Sequence, residues 1–365
     1  MRILQVIARV NQGGTARWLE ELVIGLRSNG HEVFLAAGYV QSGETEDEIF
    51  KELNGHRIES LGRSISIFSD LKSLIEIRRY ILKCRPDVIN THTAKAGFIG
   101  RLAAATIIKN KPAIVHTYHG HLLYGYFSKL KSNVFKFVEI VMARLSDVLI
   151  AAGDKVKADL LEAGIGNEDQ YIVLRPGIND FNHLNKKVVR EKLNISSDVT
   201  VVGWLGRMTK IKRPDKAIEL AKRFPDVLFL LGGEGDLLDE IKAIAPSNVN
   251  FLGWTNPEII WSASDVALLT SDNEAQPISL IEASYSSLPI VAQNVGSVSE
   301  VVEDGVSGIL VSDYKESVAA LEKLIANIEL RLSLGSAGRA YAKIRFSPAQ
   351  FILGHEAAYS RALRK

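Results

Sequence analysis

Short β-branched runs alternate with longer stretches of helical periodicity along this chain, and the rhythm starts afresh half-way. Strands that each lead into a helix pair in parallel and bury both faces of their sheet. The first half predicts strands at Arg2–Ile7, Glu32–Ala36, Arg57–Ser60, Asp87–Thr91, Ala113–Thr117, Asp147–Ala151 and Tyr171–Leu174. Helical patterns intervene at about Ala16–Ser28, Asp70–Lys83, Lys95–Ile108, Phe127–Leu145 and Lys155–Glu162. The second half predicts strands at Thr200–Leu205, Val227–Leu231, Val249–Phe251, Val266–Thr270, Ile290–Ala292 and Ile309–Val311, then almost continuous helix from Lys315. The expected fold class is α/β, with two Rossmann-like doubly wound domains facing across a cleft and ligands outside the carboxyl ends of the strands. Arg175-Pro176-Gly177 breaks the chain, and a helical connector follows at Lys186–Leu193. The predicted domains are 1–180 and 181–345, with a C-terminal helix over 346–365 packing back towards the first.

A chain of 365 residues with 47% hydrophobic and 24% charged residues can bury two such cores. Cys84 stands alone, which excludes an intrachain disulfide and any cysteine metal cluster, and points to a reducing compartment. Met1 runs directly into a strand pattern too short for a signal sequence, and no run of about 18 apolar residues occurs. The expected location is cytoplasmic, peripheral at most to the inner face of a membrane.

Three loops follow strand ends. Gly13-Gly14 opens a helix, where backbone amides approach a phosphate or sugar closely; a plain glycine turn is the alternative. Gly206–Lys212 sets Arg207 and Lys212 between a strand and a helix, a position that suits a diphosphate or simply a solvated surface. Ser271–Ala283 is a polar loop leading into a helix near Pro277–Ser279 and carries Glu274 and Glu282. Eight residues of helix span about 12 Å, too far for a glycosidase carboxylate pair. Nothing near Asp272 and Glu274 completes a metal ligand set, so no metal site is expected.

With Arg207 and Lys212, the Glu274-x7-Glu282 signature resembles the retaining GT-B glycosyltransferases of the bacterial family 4 type, the group 1 glycosyl transferases. The same family pattern is matched by Thr117-Tyr118-His119-Gly120, Pro176-Gly177-Ile178-Asn179, Gly232-Gly233-Glu234-Gly235, Phe251-Leu252-Gly253-Trp254 and Glu300-Val301-Val302-Glu303-Asp304-Gly305, in order over nearly the whole chain. The resemblance implies that Glu282 binds the ribose of a donor nucleotide. Arg207 and Lys212 would bind its diphosphate, with amides of Gly14 and of the helix start at Ile278, Ser279 and Leu280. Glu274 would face the donor sugar with the backbone of Ala275, Gln276 and Pro277, Gly233 and Leu252 would line the donor site, and His119 would sit by the sugar. Glu274, His119, Arg207 and Lys212 form the implied catalytic set, working without a divalent metal or other cofactor. Members most often carry Gly where this chain has Ala275, and Gln276 is also unusual. A requirement for positive φ at Ala275 would cost about 1–2 kcal/mol; otherwise the changes reshape the sugar pocket.

His92, His116, His119 and His121 cluster at strand ends and read as substrate-binding or structural residues before metal ligands. Gly13, His92, Lys95 and Tyr118 are the candidate acceptor contacts. Residues 78–144 are strongly basic, and Leu122–Lys131 interleaves aromatics with lysines. This stretch is either a surface for anionic lipid or the two sides of an amphipathic helix; no nucleic-acid motif accompanies it. The expected activity moves a hexose or N-acetylhexosamine from a nucleotide sugar, UDP-linked, to a glycan or lipid-diphosphate-linked acceptor in cell-surface polysaccharide synthesis. A sugar-nucleotide 2-epimerase and a non-catalytic nucleotide-sugar-binding subunit are the alternatives.

Overall fold

A computed structural model describes residues 1–41, 44–62, 66–120, 129–180 and 184–365, with backbone only over 129–131. The chain forms two compact units, Met1–Gly177 with Pro348–Lys365, and Ile178–Ser347. The sequence boundaries stood after 180 and 345. The chain leaves and re-enters the first unit side by side: a side chain on Gly177 would meet Phe351 Cβ at 2.7 Å. One residue on, Ile178 N donates to Phe346 O within the second unit (3.0 Å).

The first unit is built on seven parallel strands: β1 Arg2–Ile7, β2 Glu32–Ala37, β3 His56–Arg57, β4 Val88–His92, β5 Ala113–Tyr118, β6 Val148–Ala151 and β7 Tyr171–Val173. Their order is β3-β2-β1-β4-β5-β6-β7. Both faces are covered, so the central strands are buried along almost their whole length, the polar Gln5 of β1 and Asn90, Thr91 and His92 of β4 included. On one face the Gly14–Ser28 helix turns Trp18, Leu19, Leu22 and Leu26 inward against Phe351, Ile352 and Tyr359 of the Pro348–Ala362 helix. On the other, Ile77, Ile81 and Cys84 of the Ile67–Cys84 helix meet Ile99 and Ala103 of Ala94–Ala105. Strand order reverses direction between β1 and β4, where the carboxyl ends Ile7 and His92 lie in register. That switch point is where a doubly wound sheet opens a crevice for ligands.

The second unit repeats the plan with six parallel strands: β8 Val201–Leu205, β9 Leu228–Gly232, β10 Val249–Gly253, β11 Val266–Leu269, β12 Ile290–Gln293 and β13 Gly308–Val311. Their order is β10-β9-β8-β11-β12-β13, so the switch falls between β8 and β11. At the opposite end of these strands Arg190 and Lys186 converge on Asp265 at 2.7 and 2.6 Å, and Asp265 also accepts from Val201 N. Burial alone would raise the Asp265 pKa, but these bonds bring it below the usual carboxylate value.

Two local expectations change. The Arg57–Ser60 strand shrinks to His56–Arg57, because after one more ladder bond (Ile58 N to Ala37 O) Leu61 N turns back to Ile58 O. A four-residue helix, Ile49–Glu52, lies in a stretch with no expected element; it buries only Ile49 and Phe50, too short a pattern to show periodicity.

Candidate functional site

In the second unit, the loops leaving β8 and β11 emerge together at the switch point. Gly206 N donates to Gly232 O, and Met208 N to Glu234 O. A side chain on Gly233 (φ +127°) would stand 1.9 Å from Gly206 O. Gly233 is therefore required for the close approach of two backbones, a role distinct from ligand contact.

Lys212 and Glu274, assigned separate roles by sequence, are bonded to each other. Lys212 Nζ donates to Glu274 Oε1 at 2.6 Å, and Ser271 Oγ donates to the same oxygen at 2.6 Å. The Glu274 side chain is 8% exposed and that of Lys212 24%, so the carboxylate is nearly enclosed while the ammonium remains reachable. Both residues are also fixed through their backbones. Thr270 Oγ1 donates to Lys212 O and accepts from Trp204 Nε1, while Ser297 N donates to Glu274 O. Gly296 (φ +55°) lies so close that a Cβ would be 1.9 Å from Glu274 O. Arg207 is exposed, and its side chain has no ion pair among the described residues, whereas Arg213 and Lys216 are drawn to Asp272 at 3.3 and 3.0 Å.

Ala275 does not have positive φ, so the strain conditional on that conformation does not arise. Gln276 Nε2 donates to Glu300 Oε2 at 3.3 Å, while its Oε1 is buried without a partner. Pro277 caps the Ile278–Tyr285 helix with no side-chain acceptor; the amides of Ile278 and Ser279 form its first turn, and Leu280 N bonds Pro277 O. Glu282, on this helix, is buried at 7% exposure. Leu252 is half-buried against the core, and Trp254 beside it is exposed.

In the first unit, Gly13 (φ +140°) caps the Gly14–Ser28 helix without any side-chain bond, in open space, and Gly14 is exposed. Nearby, His92 Nδ1 and His119 Nε2 lie 2.9 Å apart. His92 is fully buried; His119 keeps part of its surface accessible and meets the edge of Trp18. Burial pushes the His119 pKa down to about 3, helped by His355, and pushes His355 itself to about 4. His92 and His116 are also driven well below the ordinary value, first by burial.

Two acceptor candidates are engaged elsewhere. Tyr118 is buried, and its hydroxyl donates to Glu139 (2.8 Å), which also pairs with the fully buried Arg101 (2.7 Å). A large aromatic ending a central strand is read more simply as core. Lys95 pairs with Asp70 at 2.6 Å, a link across two helices that their separate periodicities do not reveal. His121 and residues 122–128 of the basic aromatic segment lie outside the described residues. Among the described residues no three His, Cys, Asp or Glu side chains are grouped to hold a metal.

Sequence reasoning missed Gln5, Tyr359 and His355, which surround the paired histidines, and Ser271, which shares Glu274. Phe351, His355 and Tyr359 recur at i, i+4 and i+8 on the last helix; this row of aromatic side chains was the available signal.

Residues 12–180 match the family model described as Glycosyltransferase Family 4, and residues 185–341 the one described as Glycosyl transferases group 1. The chain belongs to the group 1 glycosyltransferases. Among its relatives is the UDP-Gal:alpha-D-GlcNAc-diphosphoundecaprenol alpha-1,3-galactosyltransferase of Escherichia coli, 28% identical over 78% of each chain. The capsular polysaccharide biosynthesis glycosyltransferase CapM of Staphylococcus aureus is 26% identical over 78% of this chain and 79% of its own. The crystal structure of Anabaena HepE in complex with UDP aligns with a TM-score of 0.81 at 19% identity, covering 99% of this glycosyltransferase and all of that chain. The fold of this glycosyltransferase is accordingly GT-B, with two Rossmann-like parallel-sheet units.

Proposed function

We propose that this chain transfers a hexose or N-acetylhexosamine from a UDP-sugar to a lipid-diphosphate-linked acceptor in cell-surface polysaccharide synthesis, with retention and without a divalent metal. The observation that carries this reading is the Lys212–Glu274 pair at the second unit's switch point, with Arg207 exposed on the same loop and without an ion pair among the described residues. Arg207 and Lys212 bind the diphosphate, and the uncapped amides at Ile278 and Ser279 add the positive end of a helix. Glu282 takes the ribose hydroxyls, and Glu274, oriented by Lys212 and Ser271, takes hydroxyls of the sugar. Gly14 offers an uncapped amide in the first unit. In the transfer the bond from the anomeric carbon to the leaving phosphate oxygen breaks, and the acceptor oxygen bonds to that carbon on the same face. The acceptor proton passes to the leaving phosphate, whose growing charge the fixed cations stabilise, the service a metal would otherwise supply.

The relatives' names favour this substrate class: one acts from UDP-Gal on a diphosphoundecaprenol-linked sugar, another in capsule synthesis. An acceptor of that kind lies in a membrane. The Ile67–Cys84 helix presents Ile67, Phe68, Leu71 and Ile75 to solvent, Ile67 and Phe68 at 82% and 89% exposure. Lys72, Arg78 and Arg79 flank them, which suits an anionic lipid surface. Among the described residues no helix is long and apolar enough to cross a membrane.

A screen of UDP-galactose, UDP-glucose and UDP-N-acetylglucosamine by thermal shift and UDP release, with and without EDTA, tests the reading. Stabilisation by one of them with EDTA-insensitive release is the expected result. Binding without turnover in the presence of polyprenyl-diphosphate-linked saccharides, or epimerised UDP-sugar without an acceptor, overturns it.

A further inference from the structure

A row of hydrogen bonds runs from the C-terminal helix to His119, entirely within the first unit. Tyr359 is fully buried, and its hydroxyl oxygen receives Gln5 Nε2 at 3.1 Å and Asn90 Nδ2 at 2.9 Å. Asn90 is held in turn by Thr117 Oγ1, which donates to its Oδ1 at 3.0 Å. With its amide N–H turned to Tyr359, Gln5 presents Oε1 to His92 Nε2 at 2.8 Å. An amide oxygen only accepts, so the neutral His92 ring carries its proton on Nε2 and leaves a lone pair on Nδ1. That lone pair faces His119 Nε2 at 2.9 Å, which must therefore donate. His119 cannot carry a second proton cheaply, because burial beside Trp18 and His355 opposes the charge. Its Nδ1 is left bare.

We propose that Tyr359, Gln5 and His92 are positioning residues that lock His119 in the Nε2–H tautomer, so that Nδ1 is offered as a hydrogen-bond acceptor to a hydroxyl of a sugar substrate. The nature of that ligand rests on the function proposed above; the tautomer does not. Turning the Gln5 amide over would run the whole row backwards and put the His119 proton on Nδ1, a donor to sugar oxygens. The amide of Gln5 is thus the switch that sets what His119 can recognise, and Tyr359, far away in sequence, is the partner on its other side.

The test is the two-bond 1H–15N correlation spectrum of the full chain labelled with 15N-histidine, at pH 7.5 and without ligand, with the His119 signals assigned by their loss in His119→Ala. The wild type is expected to show His119 protonated at Nε2 and bare at Nδ1. Tyr359→Phe removes the hydroxyl that holds the far side of the Gln5 amide, and Gln5→Met removes the oxygen that orients His92 while keeping the shape of the side chain. Each is expected to give His119 as a mixture of tautomers or as Nδ1–H, and the second variant serves if the first does not fold. A wild-type spectrum with Nδ1–H, or an unchanged His119 tautomer in either folded variant, overturns the proposal. No substrate takes part, so a failed donor screen leaves this result standing, and a failed tautomer result leaves the donor reading standing.

Discussion

The Lys212 ammonium and the Glu274 carboxylate lie 2.6 Å apart, joining a loop that follows β8 to one that follows β11. The pair links a group suited to phosphate with one suited to sugar hydroxyls, so a displacement of either moves the other. Charge-assisted bonds of this length are roughly twice as strong as neutral ones, and Ser271 and Ser297 restrain Glu274 further. Lys212→Ala and Glu274→Ala are each expected to lower kcat about 10²–10³-fold, as the loss of one transition-state donor does elsewhere. The double variant should cost far less than the product of the two. A double-mutant cycle on transfer rates checks this; strictly multiplicative losses would mean that the two act independently.

The exposed Arg207 side chain has no ion pair to lose among the described residues, so Arg207→Ala should change the unfolding free energy by no more than about 0.5 kcal/mol. It should still weaken UDP binding by about tenfold or more, the worth of one charge-assisted bond. Calorimetric titration with UDP, beside thermal melts, separates the two effects. A stable variant with unaltered UDP affinity would remove Arg207 from the diphosphate site.

How much of this could be read in advance follows the kind of signal each feature leaves. Strand and helix positions leave periodic signals, and β1, β5 and the Gly14–Ser28 helix fall almost where periodicity puts them. The loops at Arg207–Lys212 and Ser271–Ala283 were legible because charge and a helix start coincide at strand ends. Which side chains meet was not legible. Lys212 meets Glu274 across 62 residues, and Tyr359 meets Gln5 across 354. Contacts of that range follow from strand order and from the return of the last helix, neither of which has a local pattern. Tyr118 illustrates the converse: its place in a family motif suggested a ligand contact, while burial beside Arg101 and Glu139 makes it part of the core.

The histidines predict a pH dependence of the first unit. His119 and His355 fold with pKa values of about 3 and 4, below the ordinary 6.5, so the unfolded chain binds more protons. Their contribution to stability is present in full above about pH 6.5 and is lost as pH falls towards the folded values, each by up to about 1.4 kcal/mol per pH unit. Urea midpoints measured from pH 7.5 to 5 should fall steadily. A flat profile over that range would contradict the burial of neutral rings.

The exposed apolar stripe makes a separate prediction. Phe68 and Leu71 are largely exposed and lie outside the buried core, so the double substitution Phe68→Ser, Leu71→Ser should leave the melting temperature within a few degrees of wild type. Flotation with vesicles containing anionic lipid should fall several-fold, since each lost side chain removes about 1.5–3 kcal/mol of transfer free energy. Equal flotation of the variant, or equal binding to vesicles without anionic lipid, would place membrane contact elsewhere or nowhere.

The anomeric configuration of the transferred sugar is the most direct test of the account. The reaction is run in EDTA with an α-linked UDP-sugar and a polyprenyl-diphosphate-linked saccharide, and the new linkage is read from the anomeric proton by NMR. The account predicts an α-linked product formed at the same rate with and without EDTA. A β-linked product, or no product until a divalent metal is restored, would contradict it.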